Sequence, residues 1–563
     1  MKRILTSIAF LCFAVGAWAQ DMYDAERLSA NNYYGTARSV ALGNAVTALG
    51  GDLGTIGINP AGSSVNAFSQ FTFTPALLFQ NTRTAWSVDG SDKLVAAGRG
   101  ADTKVNIPNC GLTLTLFSGD DNGLKHMTVG FLVNTTNTFL NNARASALNN
   151  AGTSFLGNLA ANARGLGQRQ LPGRLYAAYW SDQFGEYGPE GSCVYAGSNQ
   201  VVDPTETYAY VPGDLNQEAV IERYGSKTDV ILNIGLDFED KFYLGFNLGL
   251  PSARYRNSES FSESAVSPIA FPVYFLDDDG NHEGPENEPT TYYKSSWNEF
   301  RFNVDASGVY AKLGFIWLPF EGLRVGAAFQ TPTMMGVRES WVYKANSKYE
   351  DSKYNSPTIS SSPGDANYSL RTPYIVNAGV AYTLGYLGFV SVDYELMDYS
   401  VMKYRDADWS FGTSADWIDV NRTINKFCGV SHSLRAGVEV KLLPELAVRA
   451  GYSMVTSPER YAKDSDGNRV VAENWHGQEV KDFRYFKDTS HAFSLGFGYS
   501  SRKSFFADAA VRLTKYPTTV YAPYYYPDYQ AVDKDNKPIE AGMPYFTMDR
   551  NIVDVLLTIG WRF

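Results

Sequence analysis

The sequence predicts an all-β chain: a transmembrane antiparallel β-barrel of about fourteen strands, with an N-terminal hatch plugging its lumen. Three observations carry this. The chain opens with an export signal, its body repeats a two-residue apolar alternation rich in aromatics and glycine, and its connections are alternately short and long.

The export signal comes first. Lys2 and Arg3 precede the apolar stretch from Ile4 to Gly16, and Ala17-Trp18-Ala19 supplies the small-x-small pattern of a signal peptidase site. Residues 1–19 are therefore expected to be a signal peptide, with the mature chain starting at Gln20. The apolar stretch is too short to span a bilayer as a helix. Cys12 follows Leu11 rather than a small residue, which argues against lipoprotein processing. Cys110, Cys193 and Cys428 lie beyond the signal, an odd number without paired spacing, so neither a disulfide framework nor a cysteine metal site is expected.

Composition narrows the class. Lys and Arg number 48 against 59 Asp and Glu, a net charge of -11 that repels nucleic acid. After the signal no run of roughly eighteen apolar residues appears, so no transmembrane helix is predicted. The 37 Tyr, 33 Phe, 10 Trp and 50 Gly suit a barrel with aromatic girdles.

The C-terminus is the clearest strand. Val553, Val555, Leu557, Ile559, Trp561 and Phe563 share one face, and Asp554, Thr558, Gly560 and Arg562 share the other, with Leu556 the exception. The pattern recurs where Leu244, Phe246, Leu248 and Leu250 alternate with Gly245, Asn247 and Gly249. It recurs again where Leu434, Ala436, Val438 and Val440 alternate with Arg435, Gly437, Glu439 and Lys441. In a barrel the apolar face meets lipid and the polar face lines the lumen. The segments run roughly Phe68–Phe79, Val105–Phe117, Lys125–Asn137, Ala219–Asp237, Lys241–Tyr255, Tyr293–Trp317 and Leu323–Tyr343. The second half runs roughly Tyr368–Leu384, Leu387–Tyr404, Val430–Leu442, Leu446–Thr456, Thr489–Tyr499, Ser504–Tyr516 and Asn551–Phe563.

Every second connection is short: Asp237 to Lys241, Pro319 to Gly322, Gly385-Tyr386, Leu443 to Glu445 and Ser500 to Lys503. The others are long and polar. Short turns on the periplasmic side and long loops outside are the barrel pattern, and they put both termini on the periplasmic side. A Greek-key sandwich has no reason to alternate so regularly.

Residues 20–67 do not alternate and are expected to form the hatch, leaving 68–563 as barrel and extracellular loops. Val40, Gly43 or Asn44, and Thr47 have helix-compatible spacing, and Gly50, Gly51, Gly54 and Gly57 lead into Asn59-Pro60-Ala61-Gly62. Small residues permit close approach to a barrel wall. About fourteen strands enclose a pore unless something fills it.

Here the sequence resembles a known family. Ala37-Arg38-Ser39-Val40-Ala41-Leu42-Gly43, Ala48-Leu49-Gly50-Gly51-Asp52 and Asn59-Pro60-Ala61-Gly62 are similar to the hatch of the long-chain fatty acid outer-membrane transporters (FadL/TodX-like). Leu323-Arg324-Val325-Gly326, Thr331-Pro332-Thr333 and the terminal Gly560-Trp561-Arg562-Phe563 resemble it further, as do Asp393-Tyr394-Glu395 and Asp398-Tyr399-Ser400. The resemblance implies diffusion-driven uptake of fatty acids or other hydrophobic small molecules, sometimes with exit through a gap in the wall. It also implies that the terminal aromatics Trp561 and Phe563 are an assembly signal for the barrel-assembly machinery. The expected setting is the bacterial outer membrane, with its lipid as partner and a monomeric barrel.

The longest loop, roughly Thr138–Glu218, opens with Leu140, Ala147, Leu148, Ala151, Phe155, Leu156, Leu159 and Ala163 close to one helical face. Leu148, Phe155, Leu156 and Leu159 are the candidate greasy landing site for cargo, against ordinary packing between loops. Asp277-Asp278-Asp279-Gly280-Asn281 and Asp464-Ser465-Asp466-Gly467-Asn468 each resemble part of a calcium loop, but lack its full spacing and are expected to be turns. His476 and His282 have no second histidine at ligand spacing. Arg324, Arg435, Glu439 and Arg449 are expected in the lumen, as ion pairs or as a carboxylate-binding arginine. No Gly-x-Ser-x-Gly elbow occurs near a usable histidine, so no enzyme, catalytic residue, metal or cofactor is expected. The competing reading is a surface receptor or adhesin whose long loops bind haem or a host ligand.

Overall fold

A computed structural model describes residues 21–563 except 92, 119–122, 152, 164–165, 167, 187–192, 196–207, 211–212, 273–289, 408–416, 460–488, 502–503, 525–529 and 533–543. The signal peptide, the two Asp-rich turns, His282 and His476 lie outside the described residues.

Fourteen antiparallel strands form a closed barrel. They are β1 (Gln70–Ser87), β2 (Val95–Ser118), β3 (Leu124–Thr138), β4 (Leu215–Phe238), β5 (Phe242–Pro272), β6 (Thr290–Phe320) and β7 (Leu323–Gln330 with Met334–Tyr349). They continue as β8 (Gly364–Arg371 with Ile375–Thr383), β9 (Gly388–Asp398), β10 (Val430–Leu443), β11 (Leu446–Thr456), β12 (Thr489–Ser500), β13 (Phe505–Lys515) and β14 (Tyr545–Arg562). Each pairs with its sequence neighbours, and β14 returns to β1 in the register Gln70 to Arg562 through Ser87 to Tyr545. Closure pairs strand edges whose backbone groups would be costly to leave bare in lipid, except above Asn109 and Asn134, where the β2–β3 ladder ends.

The predicted alternation holds through the wall. Phe493, Leu495, Phe497 and Tyr499 of β12, and Val555, Leu557 and Trp561 of β14, point outward and are exposed, while Asp554 and Thr558 point inward and are buried. Among the described residues no helix is long and apolar enough to cross a membrane. An outward band of aliphatic and aromatic side chains around a closed barrel is the surface of an outer-membrane protein. The tight turn between β4 and β5 has both Glu239 and Asp240 at positive φ, 58° and 55°, the two-residue hairpin geometry that matches strand twist.

Strands β5 and β6 are each 31 residues long. A hydrocarbon layer needs only about 9–11 tilted residues, so their upper parts form a wall standing outside the membrane. The alternation shows where each strand leaves lipid. In β6, Leu313, Phe315 and Trp317 face out and Lys312 and Gly314 face in. Above Gly308 the apolar residues change side: Phe302, Val304 and Ala306 face in, and Arg301 and Asp305 face out.

One strand departs from the wall. The β2–β3 ladder runs from Ser118 and His126 up to Asn109 and Asn134 and ends there, beside Pro108, which has no N–H to give. Above that point β3 turns inward and continues as a strand over Asn141–Asn149, paired only with β4. This corrects the helix expected to begin at Leu140. Ala143 and Ala145 alternate with Asn142 and Arg144, and the small residues are buried against the inner face of β1 and β2. Leu148 lies on this strand with its side chain outward, so it does not share a face with Phe155, Leu156 and Leu159.

Candidate functional site

The lumen is filled from below by the N-terminal segment. Helices α1 (Met22–Ser29), α2 (Ala37–Ala41) and α3 (Leu53–Ile56) and a 3-10 turn at Pro60–Val65 lead into β1. Each start has a local cause. Asp21 caps α1 at the Asp24 amide (2.9 Å), Thr36 caps α2 at Ser39 (3.2 Å), and Asn59 caps the turn at Ala61 (3.1 Å). The helix expected to run through Thr47 stops at Ala41, because Gly43 and Asn44 have φ near +63° and +60°.

Wall side chains hold this segment by its backbone. Asn247 of β5 donates to the Ile56 carbonyl (2.8 Å), Lys312 of β6 to Gly57 (2.9 Å) and Asn233 of β4 to Pro60 (3.0 Å). Arg324 of β7 donates to Ala48 (3.0 Å), Ser391 of β9 to Ala45 (2.7 Å) and Arg512 of β13 to Tyr33 (3.0 Å). Asp393 accepts from the Thr47 amide (2.7 Å). The backbone comes this close because the wall is glycine where it passes. A Cβ on Gly245 would run into Pro60, one on Gly314 into Asn59, one on Gly326 into Thr47 and one on Gly451 into Gly43. The glycines alternating with apolar residues in the sequence are thus the seat of the segment. Leu556, the one break in the C-terminal alternation, turns inward and packs on Tyr34, Ala37 and Val40.

Among the motif residues, Asn59 does most. Fully buried, it donates from Nδ2 to the Thr47 carbonyl (2.7 Å) and to Phe315 of β6 (3.0 Å). Gly62 sits where a Cβ would meet Thr55 Oγ1, and its carbonyl accepts from Gly51 (2.9 Å). The lumen charges pair with one another: Arg435 with Glu395 (2.9 Å), and Arg449 with Glu439 (2.7 Å) and Asp508 (2.5 Å).

Above this segment the upper wall encloses an apolar chamber, packed with its own side chains, that sequence reasoning missed. Tyr255, Phe302, Met335, Tyr368, Met397 and Tyr404 face it from β5 to β9 and the strand Lys403–Asp406 after it. Helix α1 fills its floor with Met22, Ala25 and Leu28. The change of side in the β6 alternation was the available signal. Burial pushes the Glu26 carboxyl of α1 up to about 7, with Arg27 pulling the other way and Asp21 adding to the rise. Lys227 of β4 holds the end of α1, donating to the carbonyls of Leu28 (3.1 Å), Ser29 (3.2 Å) and Ala30 (2.8 Å). Two adjoining cavities start here. One touches Lys227, Met335 and Met397, the other touches Tyr34, Asn134 and Thr135, and both touch Asp229 and Tyr310.

Loop helices pack inside the upper wall. On α4 (Phe155–Ala163), Phe155, Leu156 and Leu159 are buried against Trp86, Phe261 and Phe546 of the wall, with α5 (Gly173–Trp180) beside them. Phe155, Leu156 and Leu159 therefore pack inward and are not presented to solvent, whereas Tyr176 and Trp180 of α5 are exposed. Glu263 of β5, buried, accepts from Phe155 N (2.8 Å), Ser154 Oγ (3.1 Å) and Gln217 Nε2 (2.6 Å), a carboxylate at the start of α4. Trp561 and Phe563 are exposed on the lipid side, and the Phe563 and Ser69 backbones bond each other at 3.0 Å both ways.

No family model and no curated protein sequence matches this chain. Among solved structures it is similar to a Pseudomonas aeruginosa FadL homologue, at 11% identity and TM-score 0.45, over 94% of this chain and 98% of that one. It is similar to the P. putida toluene transporter TodX, at 11% identity and TM-score 0.45, over 95% and 99%. It is also similar to the Ralstonia pickettii toluene transporter TbuX, at 12% identity and TM-score 0.41, over 96% and 100%.

Taken from the outside in, the arrangement is a layer of loop helices, an apolar chamber and a packed segment, in a wall whose β2–β3 ladder ends at Asn109 and Asn134. Asn32 and Tyr34 donate to the Thr136 (2.7 Å) and Thr135 (3.1 Å) carbonyls of β3, beside the end of the β2–β3 ladder. Among the described residues no group of His, Cys, Asp and Glu could hold a metal ion.

Proposed function

We propose that this chain is an outer-membrane channel for diffusion-driven uptake of hydrophobic small molecules, with no catalysis of its own. The N-terminal segment is its hatch and the Met- and aromatic-lined chamber its cargo site. The observation that carries this is the chamber itself, a cluster of buried methionine, aromatic and aliphatic side chains inside a membrane barrel, directly above the packed N-terminal segment. Methionine and aromatic side chains adapt to varied apolar cargo, and each buried CH₂ contributes about 0.8 kcal/mol.

Within that reading, long-chain fatty acids are the cargo class. Lys227 lies where a carboxylate could replace the three carbonyls at the end of α1, and Met335 and Met397 line the cavity beside it. The adjoining cavity then leads toward the break between β2 and β3, which serves as a lateral way out.

Two measurements test this. An organic extract of the purified protein, analysed by mass spectrometry, should contain fatty acid. Lys227→Met should weaken fatty acid binding by roughly ten- to a hundredfold, as loss of a charge-assisted bond of about 1.5–3 kcal/mol implies, with little effect on a neutral hydrocarbon. Equal loss for both ligands would defeat the fatty acid assignment. Deleting Asp21–Asn59 should raise conductance in planar bilayers, and unchanged conductance would defeat the hatch.

A further inference from the structure

The outer face of the barrel carries a group of cations where its apolar band ends, on the side of the long connections. On β8 the outward residues Val380, Val376 and Tyr374 are followed by Arg371, and Tyr374 lies beside Phe329 of β7, ring centroids 6.3 Å apart. Arg371 stands opposite Lys403, and Ser369 opposite Arg405, in the antiparallel pairing of β8 with the strand Lys403–Asp406. Leu370 and Tyr404 between them are buried in the chamber, so Arg371, Lys403 and Arg405 point outward. In the same row Arg371 opposes Met334 of β7, which opposes Val309 of β6, an exposed residue of the band. About 9–11 tilted residues cross a hydrocarbon layer, so β8, entering it near Tyr382, leaves it near Arg371.

Outward arginines elsewhere have their own anions. Arg254 and Arg256 meet Asp305, and Arg301 meets Glu299. Among the described residues no carboxylate lies within ion-pair distance of Arg371, Lys403 or Arg405. Asp398, outward at the end of β9, accepts from Ser400 N (3.0 Å) and Oγ (2.6 Å), and Asp406 accepts from Trp417 Nε1 (2.8 Å). Like charges directly opposite on paired strands repel, yet the strand is held in place. Asn421 of α6 (Ile418–Phe427) accepts from Tyr404 N (2.8 Å) and donates to the Tyr404 carbonyl (3.0 Å). Three cations are thus fixed together at the boundary of lipid and water, with no counter-charge from the described residues.

We propose that Arg371, Lys403 and Arg405 bind the phosphomonoester headgroup of an acylated glycolipid in the outer leaflet, whose chains lie along Tyr374, Val376 and Val380. The side of the long connections is the outer one. Position selects a lipid. Its chains hold the headgroup at the level of these cations, a high effective concentration that a soluble anion lacks. Charge selects a monoester. It carries about 1.5–2 negative charges at pH 7 and three acceptor oxygens, enough to offset the opposed Arg371 and Lys403 and to take charge-assisted bonds from both. A phosphodiester has one charge fewer to give. The site lies on the outside of the wall, away from the chamber, and depends on neither the hatch nor the cargo.

The test is native mass spectrometry of the full chain released from detergent micelles. It is titrated with monophosphoryl lipid A, with the same lipid after phosphatase treatment, and with phosphatidylglycerol. The parent chain should retain one monophosphoryl lipid A in preference to the other two. The double variant Arg371→Gln, Lys403→Gln should weaken this binding roughly thirtyfold, as about fivefold for each cation beside an anionic lipid implies. Its heat-modifiable mobility on gels should stay that of the parent, since both side chains lie outside the packed interior. Arg254→Gln, which removes an arginine already paired with Asp305, should bind the lipid as the parent does. Equal retention of the dephosphorylated lipid or of phosphatidylglycerol, full affinity in the double variant, or the same loss in Arg254→Gln overturns the proposal. Inorganic phosphate bound as tightly as the lipid overturns it too, since the site would then serve a soluble anion.

Discussion

At the residue scale the seat of the hatch depends on missing atoms. Gly245 and Gly314 face inward on adjacent strands, and a methyl on either would overlap Pro60 or Asn59. Overpacking costs about 1–3 kcal/mol, and here it falls on the hatch, since the strands need no glycine for their ladder. Gly245→Ala is therefore expected to leave the barrel folded and its detergent-resistant mobility on gels unchanged, but to expose residues 21–66 to added protease. Resistance equal to wild type would show that the segment can shift without loosening. Asn59→Ala gives the complementary change, because it removes the side-chain donor to the Thr47 carbonyl and the added donor to Phe315, which is already paired in the wall, at about 1–3 kcal/mol. The Asn-Pro-Ala-Gly run was visible in the sequence. What its asparagine does was not, since both carbonyls are distant in the chain.

At the element scale α1 and α4 carry opposite lessons. All fourteen strands were legible, because lipid on one side and a polar lumen on the other impose a period of two on each. The stretch from Leu140 was misread because alanine satisfies either period: Ala143 and Ala145 are small enough for a helix face and for a strand face against β1. The chamber was not legible as a site because its residues, such as Tyr255 and Tyr404, come from five strands and the short segment after the last. Helix α1 fills its floor, and Glu26 gives that packing a pH dependence. Its carboxyl rises from the usual carboxylate range to about 7 on docking. A raised folded pKa means that the contribution is fully present below the unfolded pKa and lost as pH climbs through about 7. Hydrogen exchange of residues 22–29, corrected for the intrinsic rate, should therefore speed up from pH 5 to pH 8, and Glu26→Gln should flatten the trend. Helix α4 is fixed instead by Glu263. Glu263→Ala removes the acceptor from Phe155 N and Ser154 Oγ, so exchange over residues 155–163 should increase while that over 22–29 does not.

At the scale of the whole molecule, two interiors share one wall. In the membrane the strands are polar inside and apolar outside, and above it they are apolar inside and polar outside, with the change near Gly308 in β6. A soluble β-protein buries the face that this barrel gives to lipid. The two cases make opposite forecasts for the same substitutions. Leu557 faces out within the apolar band, 45% exposed, so in water an arginine there would be close to neutral. In a bilayer an arginine on the lipid face costs about 2–4 kcal/mol near the midplane and falls toward zero at the interfaces. Asp305 lies on the outer face of β6 above the change of side, where water is the solvent. Unfolding of the protein from lipid vesicles by denaturant should show a loss of that size for Leu557→Arg and almost none for Asp305→Asn, whose carboxylate is 53% exposed where it meets Arg254 and Arg256. Equal, small effects at both positions would mean that the band at Leu557 meets water, and the chamber and hatch would then belong to a soluble barrel.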